Sequence, residues 1–455
     1  MCGNRPPLTS MLRGRTFPRK KFYTPASLSE NFMSDISPIN VFTPAQEVKD
    51  IDRFAGREDE LTALSIALQS HGAQIVLYGQ RGVGKSSLAR QLAKLATNDA
   101  DTIARLKQPP FEKLDFVPVY LACDDSIKDI EMLMLRLLSD EEALAPWVPF
   151  KVVEKKVSGE IGSKFSVKVI ELGGKKTDAI TERAHEIESD IVSVFTSACR
   201  AVVKTGVAKH GLLIIIDEFD RIKNRAGLAS LLKTLGPEGV TFALVGVATT
   251  VQDLVTEHES VARQLADGSV HVRPMRYDEL DEIFDRAERL LESKYVFDAG
   301  ARNWIIKIAR GHPFYVHLVG KHSLLHAIAM STNCVSEEIA KEALSEIALK
   351  GSAPVQETTY KTAIGHSYTR EVILKKFAER TEDEIHTTGL YAEVGKELGI
   401  ESGTVSVYVG HLGSDKYGSV LKKTRERYYQ FADSVFKAYA AARPFELKPG
   451  DQEDA

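Results

Sequence analysis

The sequence predicts an α/β fold carrying two appended units: a parallel sheet covered on both faces by helices, then an all-helical unit, then a winged helix-turn-helix. Three observations predict it. Between residues 54 and 274 short apolar runs alternate with helical patterns, as strands buried on both faces require. From 277 to 348 helical stripes follow one another without such runs. Near the C-terminus two short apolar stripes flank Gly399 and lead into strand-like material at 420–431.

Composition bounds what such a chain can be. At 455 residues it is long enough for about three domains. Its 43% hydrophobic and 27% charged residues are ordinary globular usage, which disfavours bulk disorder and a fibrous repeat. A formal net charge of −4 makes no whole-chain case for nucleic-acid binding, so any such surface has to be local. Cys2, Cys123, Cys199 and Cys334 lie far apart without a CxxC pair, against a zinc ribbon or a disulfide framework and in keeping with a reducing compartment. No apolar run approaches the roughly 20 residues that span a bilayer. The expectation is a soluble, cytoplasmic protein with no membrane partner.

The elements follow in order. Residues 1–48 are rich in Pro, Ser and basic side chains, with Arg5, Arg13, Arg15, Arg19, Lys20 and Lys21 unrelieved by an acid, and read as a flexible basic tail. The core spans 49–275. Phe54-Ala55-Gly56-Arg57-Glu58 leads into a helix marked by Leu61, Leu64, Ile66 and Leu68; strands are expected at 74–78, 117–122, 212–216, 242–247 and 270–272. Between 156 and 168 the apolar residues share odd parity, which predicts a β-hairpin inserted at about 150–176 with its turn near Gly162-Ser163. A helical lid covers 276–352, beginning with the stripe Leu280, Ile283, Phe284, Ala287, Leu290, Leu291. After the linker Gly351-Ser352-Ala353-Pro354 comes the winged helix unit, 353–445, and an acidic tail, 446–455.

One motif carries chemistry outright. Gly79-Gln80-Arg81-Gly82-Val83-Gly84-Lys85-Ser86 fits G-x-x-x-x-G-K-[ST] in full, follows an apolar strand and opens an apolar-striped helix. Glycines let the backbone curl round phosphate oxygens, and its N–H groups join the helix N-terminus in an anion nest. Lys85 is expected to reach the β- and γ-phosphates, Ser86 to ligate magnesium, and Ser87 to touch the α-phosphate. The run 212–216 ends in Asp217-Glu218; Asp217 would hold the metal, and Glu218 would orient or deprotonate the attacking water. The 242–247 strand ends at Thr249-Thr250. Thr249 either hydrogen-bonds the γ-phosphate or belongs to an N-cap, while Arg263 either reaches a neighbouring subunit's nucleotide or forms a surface salt bridge.

Taken together, these residues resemble the P-loop ATPases of the AAA+ and STAND group, prokaryotic STAND and archaeal-type members and their origin-recognition-like relatives in particular. The pieces that match, in order, are 54–58, the phosphate loop, Asp217-Glu218, the strand ending at Thr249, and Gly311-His312-Pro313-Phe314. The resemblance implies ATP and Mg2+ as ligands, Arg57 near the base or ribose, and His312 and Pro313 contacting nucleotide from the lid. By local reading alone, Gly311 ends one helix and Pro313 starts the next. Neither Arg nor Lys occupies the lid motif, a departure that favours the STAND side.

Two functional readings stand. In the first, the protein is a slow ATPase switch whose nucleotide state drives conformational change and assembly with itself or a protein partner, in a defence or signalling system. In the second it is an ATP-loaded initiator or regulator binding DNA through the winged helix and the basic N-terminal tail. The recognition-helix segment 403–412 has neither Lys nor Arg, whereas Lys416, Lys422, Lys423, Arg425 and Arg427 crowd the wing. Such a wing suits phosphate contact better than base readout.

Overall fold

The computed structural model describes residues 37–148, 150–157, 160–172, 182–255, 258–349, 354–380, 382 and 384–449. The chain divides into two units, Met1–Ser37 and Pro38–Ala455, and the described strands and helices all lie in the second.

Strands β1 (Ile75–Gly79), β2 (Val117–Ala122), β6 (Leu212–Asp217), β7 (Val240–Val247) and β8 (Ser269–His271) form a sheet in the order β2-β6-β7-β1-β8, every pairing parallel. The near-continuous apolar strands are explained by its two faces. Leu212, Ile214 and Ile216 enter one core cluster, Leu213 and Ile215 the other. Helices α1 (Glu58–Gln69) and α2 (Lys85–Ala96) cover one face. Helices α4 (Ile130–Ser139), α5 (Ile191–Lys204) and α6 (Leu228–Leu235) cover the other, and the short α3 (Ala100–Ile103) follows α2. Ile66, expected in the α1 stripe, is 46% exposed; Leu61, Leu64, Ala67 and Leu68 make the buried face instead.

The insertion is larger than the expected hairpin. Strands β3 (Phe150–Val157), β4 (Glu160–Leu172) and β5 (Glu182–Ser189) form an antiparallel sheet of their own, β3-β4-β5. Gly162 and Ser163 are not its turn, because they pair with Lys155 and Glu154 in mid-ladder. The odd parity from Ile161 to Val169 belongs to one continuous strand, and the connection falls at 158–159, outside the described residues.

After β7 come the short α7 (Val251–Leu254) and α8 (His258–Leu265), then the helical unit: α9 (Tyr277–Leu290), α10 (Ala299–Ala309), α11 (Pro313–Ala329) and α12 (Glu337–Leu349), with the two-residue strands β9 (Val296–Phe297) and β10 (Cys334–Val335) paired. Part of the expected tail belongs here. Phe42 is 1% exposed and meets Phe284, Phe297 and His317 edge-on; a lone aromatic leaves no periodic signal, which is why 38–48 read as tail. The rest of that tail lies outside the described residues.

The C-terminal unit comprises α13 (Pro354–Ile364), α14 (Tyr368–Ala378), α15 (Thr387–Leu398) and α16 (Ser402–Leu412), with a sheet in the order β11-β13-β12 and a closing helix, α17 (Ser434–Ala442). Strand β11 is Ile385–His386, β12 Leu421–Arg425 and β13 Tyr428–Phe431, all antiparallel. Gly399 ends α15 in the left-handed region at φ 67°. The acidic tail is anchored at its start: Glu446 N and Leu447 N donate to the two oxygens of buried Glu371, at 2.7 and 2.8 Å. Residues 450–455 lie outside the described residues. Among the described residues no helix is long and apolar enough to cross a membrane.

Candidate functional site

The carboxyl ends of the parallel strands are level, Gly79 with Val247 and Ala122 with Asp217. In such a sheet ligands bind outside this edge, where the strand order reverses. A cleft of about 1390 Å³ opens there. Gln80 to Ser87, Arg57, Asp217, Glu218, Thr249 and Pro313 all line it, so residues far apart in the sequence are brought together.

The phosphate loop departs from β1 at Gly79, φ 152°, where a Cβ would lie 2.3 Å from Val272 O; no other residue type fits that junction. Gly84, at φ 96°, caps α2, so the helix N-terminus faces the cleft. Lys85 is 8% exposed, and its Nζ donates to Gly79 O at 3.1 Å and Gln80 O at 2.6 Å. Burial pushes its ammonium down to about 8, against the pull of Asp220 and Asp217.

Asp217 is not on the strand next to the loop; β7 lies between β6 and β1. It still reaches the cleft, 5% exposed, and both its oxygens are held: Oδ2 accepts from Tyr120 OH at 2.5 Å, Oδ1 from Glu218 N at 2.8 Å. Burial and the Asp217 charge push the Tyr120 phenol far above its ordinary range, so it acts as a donor. Glu218 sits at φ 52°, a strained conformation for a non-glycine residue, and its carboxylate pairs with Arg221 Nε at 2.5 Å. Arg221 also holds Asp125 at 3.0 Å.

The remaining expected residues divide. Arg57, 3% exposed, commits its guanidinium to Val83 O and Glu60 Oε1, both at 2.7 Å, and so braces the phosphate loop. Ser87 Oγ accepts from Val48 N at 2.9 Å. Thr249 lines the cleft, with its N–H given to Asp253; the neighbouring Thr250 is the N-cap of α7. Pro313 starts α11 as the local reading expects; His312, the N-cap, is buried and is absent from the cleft wall. Arg263 is exposed on α8, away from the cleft, and has no ion-pair partner among the described residues.

Sequence reading missed Asp220, whose Oδ1 accepts from Val247 N at 2.9 Å and whose side chain also lines the cleft. Its signal was the third acid of Asp217-Glu218-Phe219-Asp220. Tyr120, Arg90 and His317 had no such signal, because strand register and helix packing place them. His317 is buried at the cleft wall, 8% exposed; burial, with Arg53 nearby, pushes its imidazole down to about 4, and its Nδ1 accepts from Thr43 N. Also missed was the third wall of the cleft: Glu384, Lys422, Gln430, Asp433 and Lys437 of the C-terminal unit.

The donor set fits a magnesium nucleotide. Magnesium takes hard oxygens and usually only one or two protein ligands beside phosphate; Ser86 and Asp217 line the same cleft, and among the described residues no group of three or more His, Cys, Asp or Glu could hold a metal by itself.

The chain is similar to several solved structures. They include the Aeropyrum pernix ORC2 protein in ADPNP–ADP complexes (16% identity, 85% of this chain and 93% of that one, TM-score 0.44). Cdc6p from Pyrobaculum aerophilum is another (13%, 88% and 96%, TM-score 0.43). A third is the Thermotoga maritima RuvB Holliday junction branch migration motor (17%, 86% and 97%, TM-score 0.41). No curated protein matches the chain significantly. Residues 53–245, under half of the chain, match the family model described as the AAA ATPase domain, and that stretch contains Arg57, the phosphate loop and Asp217-Glu218.

Proposed function

We propose that this protein is an ATP-binding and ATP-hydrolysing switch in which the state of a bound magnesium nucleotide sets the arrangement of core, helical lid and a C-terminal winged helix. The observation that carries the reading is that one cleft is walled by all three parts: the phosphate loop, Pro313 with His317, and Lys422 with Asp433. A ligand in it would lie between the units that could move.

Bound magnesium would supply charge neutralisation at the β- and γ-phosphates. The chain's own groups do the rest. Backbone N–H groups of Gly82 to Ser86 orient the phosphates, Lys85 counters their charge, and Ser86 and Asp217 hold the metal. Glu218, once released from Arg221, orients the attacking water, with Thr249 at the same edge. Asp220 fixes the end of β7 beside it. Arg263, exposed on α8, is assigned to the nucleotide of a neighbouring copy.

The test is a distance measurement between spin labels on the core and on α16, with ATP analogue, with ADP and with neither. The reading expects at least two distinct distributions; three identical ones would refute it.

The second reading, DNA binding through the wing, draws on the exposure of Lys416, Lys422, Lys423, Arg425 and Arg427. Two of these have other work, since Lys422 lines the cleft and Arg425 pairs with Glu384 at 3.0 Å while stacking on Tyr428. We therefore place protein assembly, in a defence or signalling setting, ahead of DNA. Fluorescence anisotropy with duplex DNA across a salt series separates the two: tight, salt-dependent binding would reverse the order.

A further inference from the structure

We infer that Tyr120 is a positioning residue for the metal-holding carboxylate of Asp217, and that Arg90 clamps Tyr120 in place. The inference rests on the nucleotide reading above and concerns how that site is built.

Strand β2 runs parallel to β6 with Tyr120 beside Ile215 and Ala122 beside Asp217. Tyr120 lies on the face packed by α2, in the same core cluster as Leu213 and Ile215. Its side chain spans the two residues to the sheet's edge, and its hydroxyl donates to Asp217 Oδ2 at 2.5 Å. Glu218 N donates to the other oxygen at 2.8 Å. Each oxygen of Asp217 thus has one donor in a fixed position, which arrests rotation of the carboxylate and leaves further lone pairs for a metal or its water. A phenylalanine would fill the same core volume without burying a hydroxyl, so the oxygen of Tyr120 is accounted for by Asp217.

The ring is held in turn. Arg90 lies on α2, in the helix that the phosphate loop opens, and its guanidinium carbon stands 3.4 Å from the centroid of the Tyr120 ring. Its Nε and Nη2 donate to Glu47 Oε1 at 3.2 and 3.1 Å. The phenol is therefore gripped between the sheet and a cation that is itself fixed, the kind of supporting shell that holds a site to within about half an ångström. Glu47 belongs to the 43–48 segment that also lines the cleft.

The test uses the full chain and two variants, Tyr120→Phe and Arg90→Met. Mn2+ affinity of the ADP complex is measured by electron paramagnetic resonance, ADP affinity without metal by calorimetry in EDTA, and folding by thermal melting. A hydrogen bond to a charged group sets the scale: Tyr120→Phe should weaken Mn2+ about tenfold. Arg90→Met should weaken it about threefold, through a looser ring. Metal-free ADP affinity should stay within about twofold in both, the split that a merely structural role would not produce. Unchanged Mn2+ affinity in Tyr120→Phe, or equal losses with and without metal, would overturn the positioning role; if Tyr120→Phe does not fold, the same two outcomes in Arg90→Met decide. Should the wild type bind no ADP, or gain nothing from Mn2+, the nucleotide reading itself falls, a result distinct from the first two.

Discussion

Lys85→Ala tests the site most directly, because its two consequences have very different sizes. In the folded protein the ammonium is 8% exposed and bridges Gly79 O and Gln80 O. Removing it costs those two hydrogen bonds, about 1 kcal/mol each, but also relieves the burial that pushes its ionisation down to about 8. These offset, so the melting temperature should stay within about 3 °C. Binding is another matter. At an effective dielectric near 20, a unit charge 4 Å from a phosphate charge contributes about 4 kcal/mol. Subtracting the two carbonyl hydrogen bonds given up on binding, about 1 kcal/mol each, leaves about 2 kcal/mol, a loss of about thirtyfold in ATP affinity. Isothermal calorimetry on folded variant and wild type reads it. An affinity within about twofold of wild type would refute the assignment of the cleft to a triphosphate, since no other buried cation of the loop could replace Lys85.

The same geometry sets three further outcomes. Glu279, 6% exposed, accepts from Arg57 N at 2.9 Å and Arg276 N at 2.8 Å; Glu279→Ala should destabilise the chain by about 3 kcal/mol in denaturant unfolding, and Glu279→Gln by about half of that. Glu218→Gln should cut phosphate release at least about tenfold while ATP affinity stays the same, and equal release would remove Glu218 from the chemistry. Burial raises the Glu357 carboxyl, but hydrogen bonds from Arg443 at 2.8 and 2.9 Å and from Tyr439 override it and hold it at about 2. A depressed acid contributes stability that is present above its unfolded value and lost as pH falls through the folded one, so about 3 kcal/mol should drain away between about pH 4.5 and 2; Arg443→Met should move acid unfolding to higher pH.

How much of this was legible depended on whether a feature is local. The inner strands of the sheet were found because burial on both faces makes each a near-continuous apolar run, as in Leu212–Asp217; Val117–Ala122 was expected to the residue. The phosphate loop was legible because its glycines and lysine must be contiguous. The hairpin turn was misplaced because parity marks which face a residue takes and does not mark where a strand ends: Gly162 and Ser163 keep the alternation of β4. Phe42 and the Tyr120–Asp217 pair were invisible for a different reason. A lone aromatic or hydroxyl has no period, and what it meets is decided by strand order and by segments as distant in sequence as His317 is from Phe42. Arg57 shows the same limit, since its motif was noticed but its partner, Val83 O, could not be.

The helical unit is fastened to the core by a set of buried and half-buried polar contacts. Glu282 Oε2 accepts from Gly56 N at 2.7 Å, and Glu279 holds Arg57 N. Arg286 donates to Ile51 O at 2.9 Å and Asp52 O at 3.0 Å, while Arg105 joins Glu58 and Glu282. These contacts are buried or half-buried and several involve charged groups, so all of them have to be given up together if the two elements part. Segment 51–57 and α9 are therefore tied together by several polar contacts at once. The C-terminal unit is tied to the lid differently, by Arg310 Nη1 donating to Arg380 O at 2.6 Å and by α10 against α17. A hydrogen bond to a carbonyl and a helix–helix contact are far cheaper to rearrange than a buried ion cluster. On the proposed switch reading, then, nucleotide state is expressed less in the angle between core and lid than in the distance between the phosphate loop and the strand that carries Lys422.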